Sequence, residues 1–263
     1  MNLLNNALVL SVSIVGLAGC GGSSDGGGGG GTAPGGGVNI FTSFSNIPDN
    51  GTTVIKGTSR GASYTTENSD GTGKVTASSI SGPNDATGNI ITKNGNTVAI
   101  KISDPGGIVS FDSEKGDVFS SNGPNGSVLG AITADGQDDL AIIDPNVAGF
   151  EHQTYGVWLT GRGTGSGNIR AGSFGAKTAS SSLPSGTAIY NGGSLGAAVD
   201  GNGDAYIPGS VVTVSTDCST ATITSQNTSV TGVNNNALND PAPILDFSGS
   251  GPVSGSGFKA SVF

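Results

Sequence analysis

The sequence predicts an all-β protein: from Tyr155 onward about seven strands with short connections suggest an antiparallel up-and-down β-barrel. Three observations predict it. Apolar and polar residues alternate with a period of two, most clearly where Val98, Ile100 and Ile102 interleave with Ala99, Lys101 and Ser103. Turn signals recur at short intervals, among them Pro48-Asp49-Asn50-Gly51, Asn94-Gly95, Asp104-Pro105-Gly106-Gly107 and Pro124-Asn125-Gly126. No window sustains the 3.6-residue apolar stripe that a helix would bury.

Composition agrees. Of 263 residues 48 are glycine, 11% are charged and 5% are aromatic. There is too little charge to keep the chain expanded, and Gly, Asn, Asp and Ser supply the positive-φ turns of a β-rich fold. The net charge of −9 excludes a nucleic-acid surface, which needs a basic stripe. It also excludes polybasic docking to anionic lipid. The surplus acid reads as a solvated face, with a basic partner as the alternative.

The first 37 residues set the address. Ala7 to Leu17 is an apolar run of signal-peptide length, too short to span a bilayer as a helix. It ends in Leu17-Ala18-Gly19-Cys20, which resembles a bacterial lipobox; an ordinary secretory signal is the alternative. The resemblance implies a lipoprotein signal peptide over residues 1–19 and lipid attachment at Cys20. Gly21 stands where an inner-membrane lipoprotein usually carries Asp, which implies sorting to the outer membrane. One acyl chain binds weakly, so stable anchoring needs several at Cys20. Residues 20–37 read as a lipidated, Gly-rich tether, and a coil of this composition reaches roughly 23 Å.

From residue 38 to 149 short strands are expected at Thr52–Lys56, Lys74–Ile80, Asn89–Thr92, Thr97–Ser103, Ile108–Phe111, Val128–Thr133 and Leu140–Ile143. From residue 150 to 263 the plan is more regular. Tyr155, Val157 and Leu159 share one face, and Ile169 and Ala171 begin the next strand. Thr187–Tyr190, Tyr206–Ser215, Thr220–Ser225, Ile244–Phe247 and Phe258–Phe263 follow, with hairpin turns expected at 201–203 and 217–220. An up-and-down barrel closes on an even number of strands, and the pattern stops in mid-strand at Phe263, so the barrel is expected open or short of a strand.

Phe150 to Trp158, Gly186 to Gly193 and the pair Val212–Asp217 and Ala221–Thr224 resemble the barrel domain of transferrin-binding protein B-like surface lipoproteins. The resemblance covers about Phe150–Phe263. It implies an antiparallel up-and-down β-barrel of about eight strands over 150–263, a smaller β-rich handle over 38–149, and a lipidated Cys20 before a poly-Gly tether. It further implies non-catalytic binding of an extracellular ligand, a protein carrying iron or haem or a solute, with an outer-membrane receptor as partner.

Catalytic and metal chemistry finds little support in the residues. Gly57-Thr58-Ser59-Arg60-Gly61 and Gly192-Gly193-Ser194-Leu195-Gly196 match G-x-S-x-G, but neither serine opens a helix, as a nucleophile elbow must. Both read as glycine-rich turns. Asp200 to Asp204 resembles the start of a calcium loop, yet Ala205 and Val211 stand where Gly and Glu are required. Asp135 to Asp139 is as weak. Gly73-Lys74 lacks the rest of a phosphate cradle. A zinc site needs more than the single His152, which reads as a polar residue opening a strand, with a haem ligand as the alternative. Trp158 reads as barrel filling or rim rather than a ligand anchor. Cys218 reads as a half-buried strand thiol, with a reactive thiol as the alternative.

The residues therefore point to no enzyme, no cofactor, no metal and no nucleic-acid partner. They point to an outer-membrane, surface-exposed lipoprotein that binds through loops such as Gly161–Gly167 and Gly232–Pro241. A structural or adhesive surface lipoprotein without a transport role is the second reading.

Overall fold

The computed structural model describes residues 8–12, 38–71, 75–78, 81, 83–122, 126–176, 186–199, 205–217, 219–232, 246–254, 257–258 and 261–262. The expected lipid site Cys20, the tether, Cys218, the turn at 201–203 and loop residues 233–241 lie outside them.

The protein is all-β. A large curled antiparallel sheet forms a half-barrel, and a second, smaller sheet packs beside it. In chain order the strands are β1 (Leu8–Val12), β2 (Val38–Ile40), β3 (Gly51–Thr66), β4 (Val75–Ala77), β5 (Asn84–Lys93), β6 (Asn96–Asp104), β7 (Gly107–Asp112), β8 (Val118–Asn122), β9 (Val128–Ile132) and β10 (Asp139–Ile143). A single helical turn, α1 (Pro145–Ala148), precedes β11 (Gln153–Thr160) and β12 (Ser166–Gly175). Then come β13 (Ala188–Val199), β14 (Ala205–Thr216), β15 (Thr220–Gly232), β16 (Ser248–Ser254), β17 (Gly257–Phe258) and β18 (Ser261–Val262).

The large sheet has the order β7-β6-β5-β3-β12-β11-β10-β9-β8, with β2 and β4 added to β3. The second has the order β1-β13-β14-β15-β16-β17, with β18 also on β16. Barrel strands expected from Tyr155 onward therefore do not form one meander. β11 and β12 join the large sheet, because the second half of β3 needs a partner and finds it in β12, Ser166↔Thr65 through Phe174↔Gly57. Nor does the large sheet close. Its end strands β7 and β8 are joined by the short turn Ser113–Lys115 and do not pair with each other.

Strand β3 explains the two-core plan. In its first half Thr53, Ile55 and Ser59 point inward; in its second half Ala62 and Tyr64 are buried on the opposite face. Ile55 joins the core inside the curl, with Ile100, Ile102, Phe111, Leu140, Trp158 and Phe174. Ala62 and Tyr64 join a core on the outside, with Val75, Val157, Leu159, Ile169 and Ala171. Leu195 of β13 packs against that outer core. The alternation of Val157 and Leu159 against Trp158 thus places residues in both cores, and β11 is buried on both faces.

The segment 57–61 is strand interior rather than the expected turn, and so is 192–196. The reason is close approach. A Cβ on Gly57 would lie 1.9 Å from the Ser173 carbonyl oxygen of the neighbouring strand, and glycine inside a strand marks such an approach as readily as a turn. β8 was not expected from the sequence. The Asn94-Gly95 hairpin was, and its two residues take φ of 51° and 77°, the pair of positive values a two-residue hairpin turn requires.

Candidate functional site

The large sheet has two unlike ends. β3 crosses it in 16 residues, a run of about 50 Å at the usual strand rise. At the start of β3 lie β2 and the hairpin turn at 94–95, where the Gly95 amide bonds the Asp49 carbonyl. The contact of Phe44 and Ser45 with Glu151 belongs there too: the Phe44 amide donates to the Glu151 carbonyl and the Ser45 hydroxyl donates to its carboxylate at 2.5 Å. The described chain enters the large sheet at this end, at Val38; it is the end nearest in sequence to the expected tether.

The other end is built from three loops: residues 67–71 after β3, 133–138 between β9 and β10, and 161–165 between β11 and β12. They brace one another. The Thr66 amide donates to the Gly165 carbonyl at 2.9 Å, and the Arg162 amide to the Gln137 carbonyl at 2.7 Å. The Gly161 amide donates to Asp138 Oδ1 at 3.1 Å, and Arg162 Nη1 reaches Asp139 Oδ2 at 3.0 Å. Glycine is required at 161, 163 and 165, where φ is +74°, +74° and +82°. Gly71 is packed so tightly on Gly163 that a Cβ there would lie 2.5 Å from the Gly163 Cα.

This end is acidic. Asp139 pairs with Arg162; Asp135, Asp138 and Asp139 lie close enough to act on one another; Asp117 accepts from the Ala134 amide at 2.8 Å; and Glu67 and Asp70 belong to the loop after β3. Burial raises the Asp138 carboxyl above its usual value, and the charges of Asp135, Asp139 and Asp117 add to the effect against the Gly161 amide bond. The Tyr64 hydroxyl, which donates to the Thr160 carbonyl at 2.9 Å, is pushed up to about 12 by burial first and then by Asp138 and Asp139. Asp135 is instead lowered, by the Gln137 amide and the Thr133 hydroxyl. Its Oδ1 accepts from both, so the calcium-like string 135–139 spends this carboxylate on its own turn. Among the described residues no group of three His, Cys, Asp or Glu is placed to hold a metal ion. The chemistry available is a fixed negative potential on a rigid frame, suited to attracting a basic group.

The expected site residues are scattered. His152 is exposed at the tether end, with Nδ1 3.0 Å from the Thr42 carbonyl oxygen. Trp158 fills the inner core against Phe174, ring centroids 6.1 Å apart. Ser59 is buried and donates to Asp104 Oδ2 at 2.5 Å, and Ser194 Oγ lies 2.6 Å from Ser210 Oγ. Neither serine hydrogen-bonds His152. The 161–165 part of the suspected loop Gly161–Gly167 does form a turn at the acidic end.

Sequence reasoning missed a buried ion pair. Arg170 Nη1 lies 3.0 Å from Asp104 Oδ2, the two side chains 9% and 2% exposed. The Gly106 amide also donates to Asp104, at 2.8 Å. The signal was a lone Arg in the otherwise apolar run Ile169-Arg170-Ala171, a position where a cation survives only with a partner. On the second sheet an open groove of about 650 Å³ is lined by Thr187, Ile189, Thr216, Asp217, Thr220 and Thr222, among others. Asp217 is held down to about 2, chiefly by the Thr220 amide and then by the Ser219 hydroxyl and amide.

No protein-family model matches this chain, and no curated protein or solved structure is similar to it.

Proposed function

We propose that the chain is an outer-membrane lipoprotein, anchored through Cys20 and exposed at the cell surface. It binds an extracellular ligand without catalysis. The observation that carries this reading is the polarity of the large sheet. The loops 67–71 and 161–165, braced by the acidic loop 133–138, stand at the opposite end of the continuous, 16-residue β3 from the strand β2 that follows the Gly-rich segment. A rigid frame that holds loops away from an anchor is what ligand capture requires. The lipobox-like Leu17–Cys20 and the resemblance of residues 150–263 to transferrin-binding protein B-like barrels support the same reading. That resemblance proposes a protein carrying iron or haem as the ligand and an outer-membrane receptor as partner. The acidic loops favour a ligand with a basic face.

On this reading residues 1–19 leave on processing and take β1 with them, so β13 becomes an edge strand. Affinity capture from host fluid with the soluble body, residues 38–263, tests the binding. Retention of one basic protein, weakened by salt and by Asp70→Asn with Asp135→Asn, is expected. Capture of nothing at low salt would falsify it.

A second reading, adhesion, is favoured by one observation. The outer face of the second sheet carries cross-strand rows of hydroxyls, Thr213–Thr224–Ser248 and Ser215–Thr222–Ser250. No Lys or Arg occurs between Lys177 and Lys259. If substitutions on these rows abolish attachment of cells while the loop variants do not, adhesion is the function.

A further inference from the structure

We infer that the tether end of the large sheet is a lipid-contacting face, with Val38 and Ile40 seated in the outer part of the bilayer. Val38 is 69% exposed and Ile40 82% exposed, both on β2, in register with Thr52 and Val54 of β3. One residue later the chain turns inward: Phe41 and Phe44 are buried in the inner core. Two aliphatic side chains are thus left outside beside two phenylalanines taken in. Val147, 47% exposed on α1, lies at the same end. That end is tied together by the bonds of Glu151 to Phe44 and Ser45.

The occupant follows from the chain. The inference rests on the reading of Cys20 as the lipid anchor. Only residues 21–37 separate that anchor from Val38, so β2 is the first part of the folded body to meet the surface. The local concentration of bilayer around Val38 is then high, and even a small apolar contact is populated. Burial of aliphatic surface supplies the attraction. Charge does not: Asp49, Asp144 and Glu151 flank this end, and Lys93 beside the 94–95 hairpin is paired with Glu114. The contact therefore prefers a zwitterionic surface, and it stands the body upright with the loops 67–71 and 161–165 farthest from the lipid.

The test uses the lipidated protein with Cys218→Ser in vesicles of phosphatidylcholine. An environment-sensitive fluorophore is placed at Ile40→Cys, or at Ser69→Cys in the loop after β3. Position 40 is expected to shift to the blue on anchoring and to lose most of its access to an aqueous quencher. Position 69 is expected to stay fully accessible. Val38→Ser should halve the shift at 40, and phosphatidylglycerol added to the vesicles should reduce it. Co-sedimentation of the same sample reports the anchor separately. Co-sedimentation with equal quenching at 40 and 69 overturns the lipid contact and leaves the anchor standing; failure to co-sediment overturns both. Protection at 40 without vesicles, growing with protein concentration, would assign the face to a second copy and overturn the inference as well.

Discussion

Arg170 shows how much one residue governs. Its guanidinium reaches from β12 across β3 to Asp104 at the end of β6, and so holds the β6–β7 hairpin over the curl of the sheet. A Cβ on Gly106 would lie 1.6 Å from Arg170 Nη2, so only glycine leaves room for the pair. Removing one member of a buried pair strands the other charge and costs about 3–5 kcal/mol, whereas removing both costs less. Arg170→Met should therefore lower stability to urea by about 3 kcal/mol, and Asp104→Asn added to it should restore part of the loss. Additive losses in that cycle would show that the pair does not couple. Tyr155 offers a second test. Its hydroxyl donates to the Gly193 carbonyl at 2.7 Å, a tie between the sheets, and burial pushes it up to about 12. A raised folded value means the stability is present below the ordinary value of about 10 and is lost as pH rises through about 12. Wild type should weaken over that window more than Tyr155→Phe, followed by denaturant midpoint and by phenolate absorbance. Tyr64 also titrates late, so parallel behaviour of the two proteins would exclude Tyr155 as the source.

Turns were the legible elements, and strand lengths were not. Asn94-Gly95 announces its hairpin because few other pairs tolerate two successive positive φ values. Asp217 announces another, since its Oδ1 accepts from the Ser219 amide, the Ser219 hydroxyl and the Thr220 amide that close the β14–β15 connection. Gly57 and Gly61 gave the opposite signal from their role. Glycine in a turn and glycine under a crossing neighbour look alike in sequence, so β3 read as five residues when it runs for 16. The acidic loop cluster was legible only in part: Gly161 to Gly165 reads as a turn, but its bracing by Asp138, Asp139 and Gln137 depends on which strands pair. The Asp217 turn carries a pH prediction. Its carboxyl is lowered from 3.8 to about 2, so the turn's contribution is present above about pH 4 and is lost as pH falls through 2. Asp217→Ala should lower the urea midpoint at pH 6 and match wild type near pH 2. A difference that persists unchanged at pH 2 would reject the carboxylate as the turn's support.

At the scale of the molecule, the all-β class and the curled sheet followed from alternation and turn spacing, while the grouping of strands into sheets did not. Period two places a residue on a face, and it is silent on which neighbour covers that face. Val157 and Leu159 read as one barrel wall, yet they lie in an outer core shared with Leu195 of the second sheet. That sharing makes a prediction about cooperativity. Trp158, the chain's single tryptophan, sits in the inner core of the large sheet and reports that sheet alone. Far-ultraviolet circular dichroism reports both sheets. If the outer core couples them, the two signals should follow one urea transition in wild type, as a two-state domain requires. Leu195→Ala removes part of the shared core, at a cost of about 2 kcal/mol, so both signals should move to lower urea together. A Trp158 midpoint that stays at the wild-type value while the dichroism transition moves would mean that this contact does not couple the sheets. Two separate transitions already present in wild type would mean that the sheets fold independently and that the Leu195 contact carries no coupling.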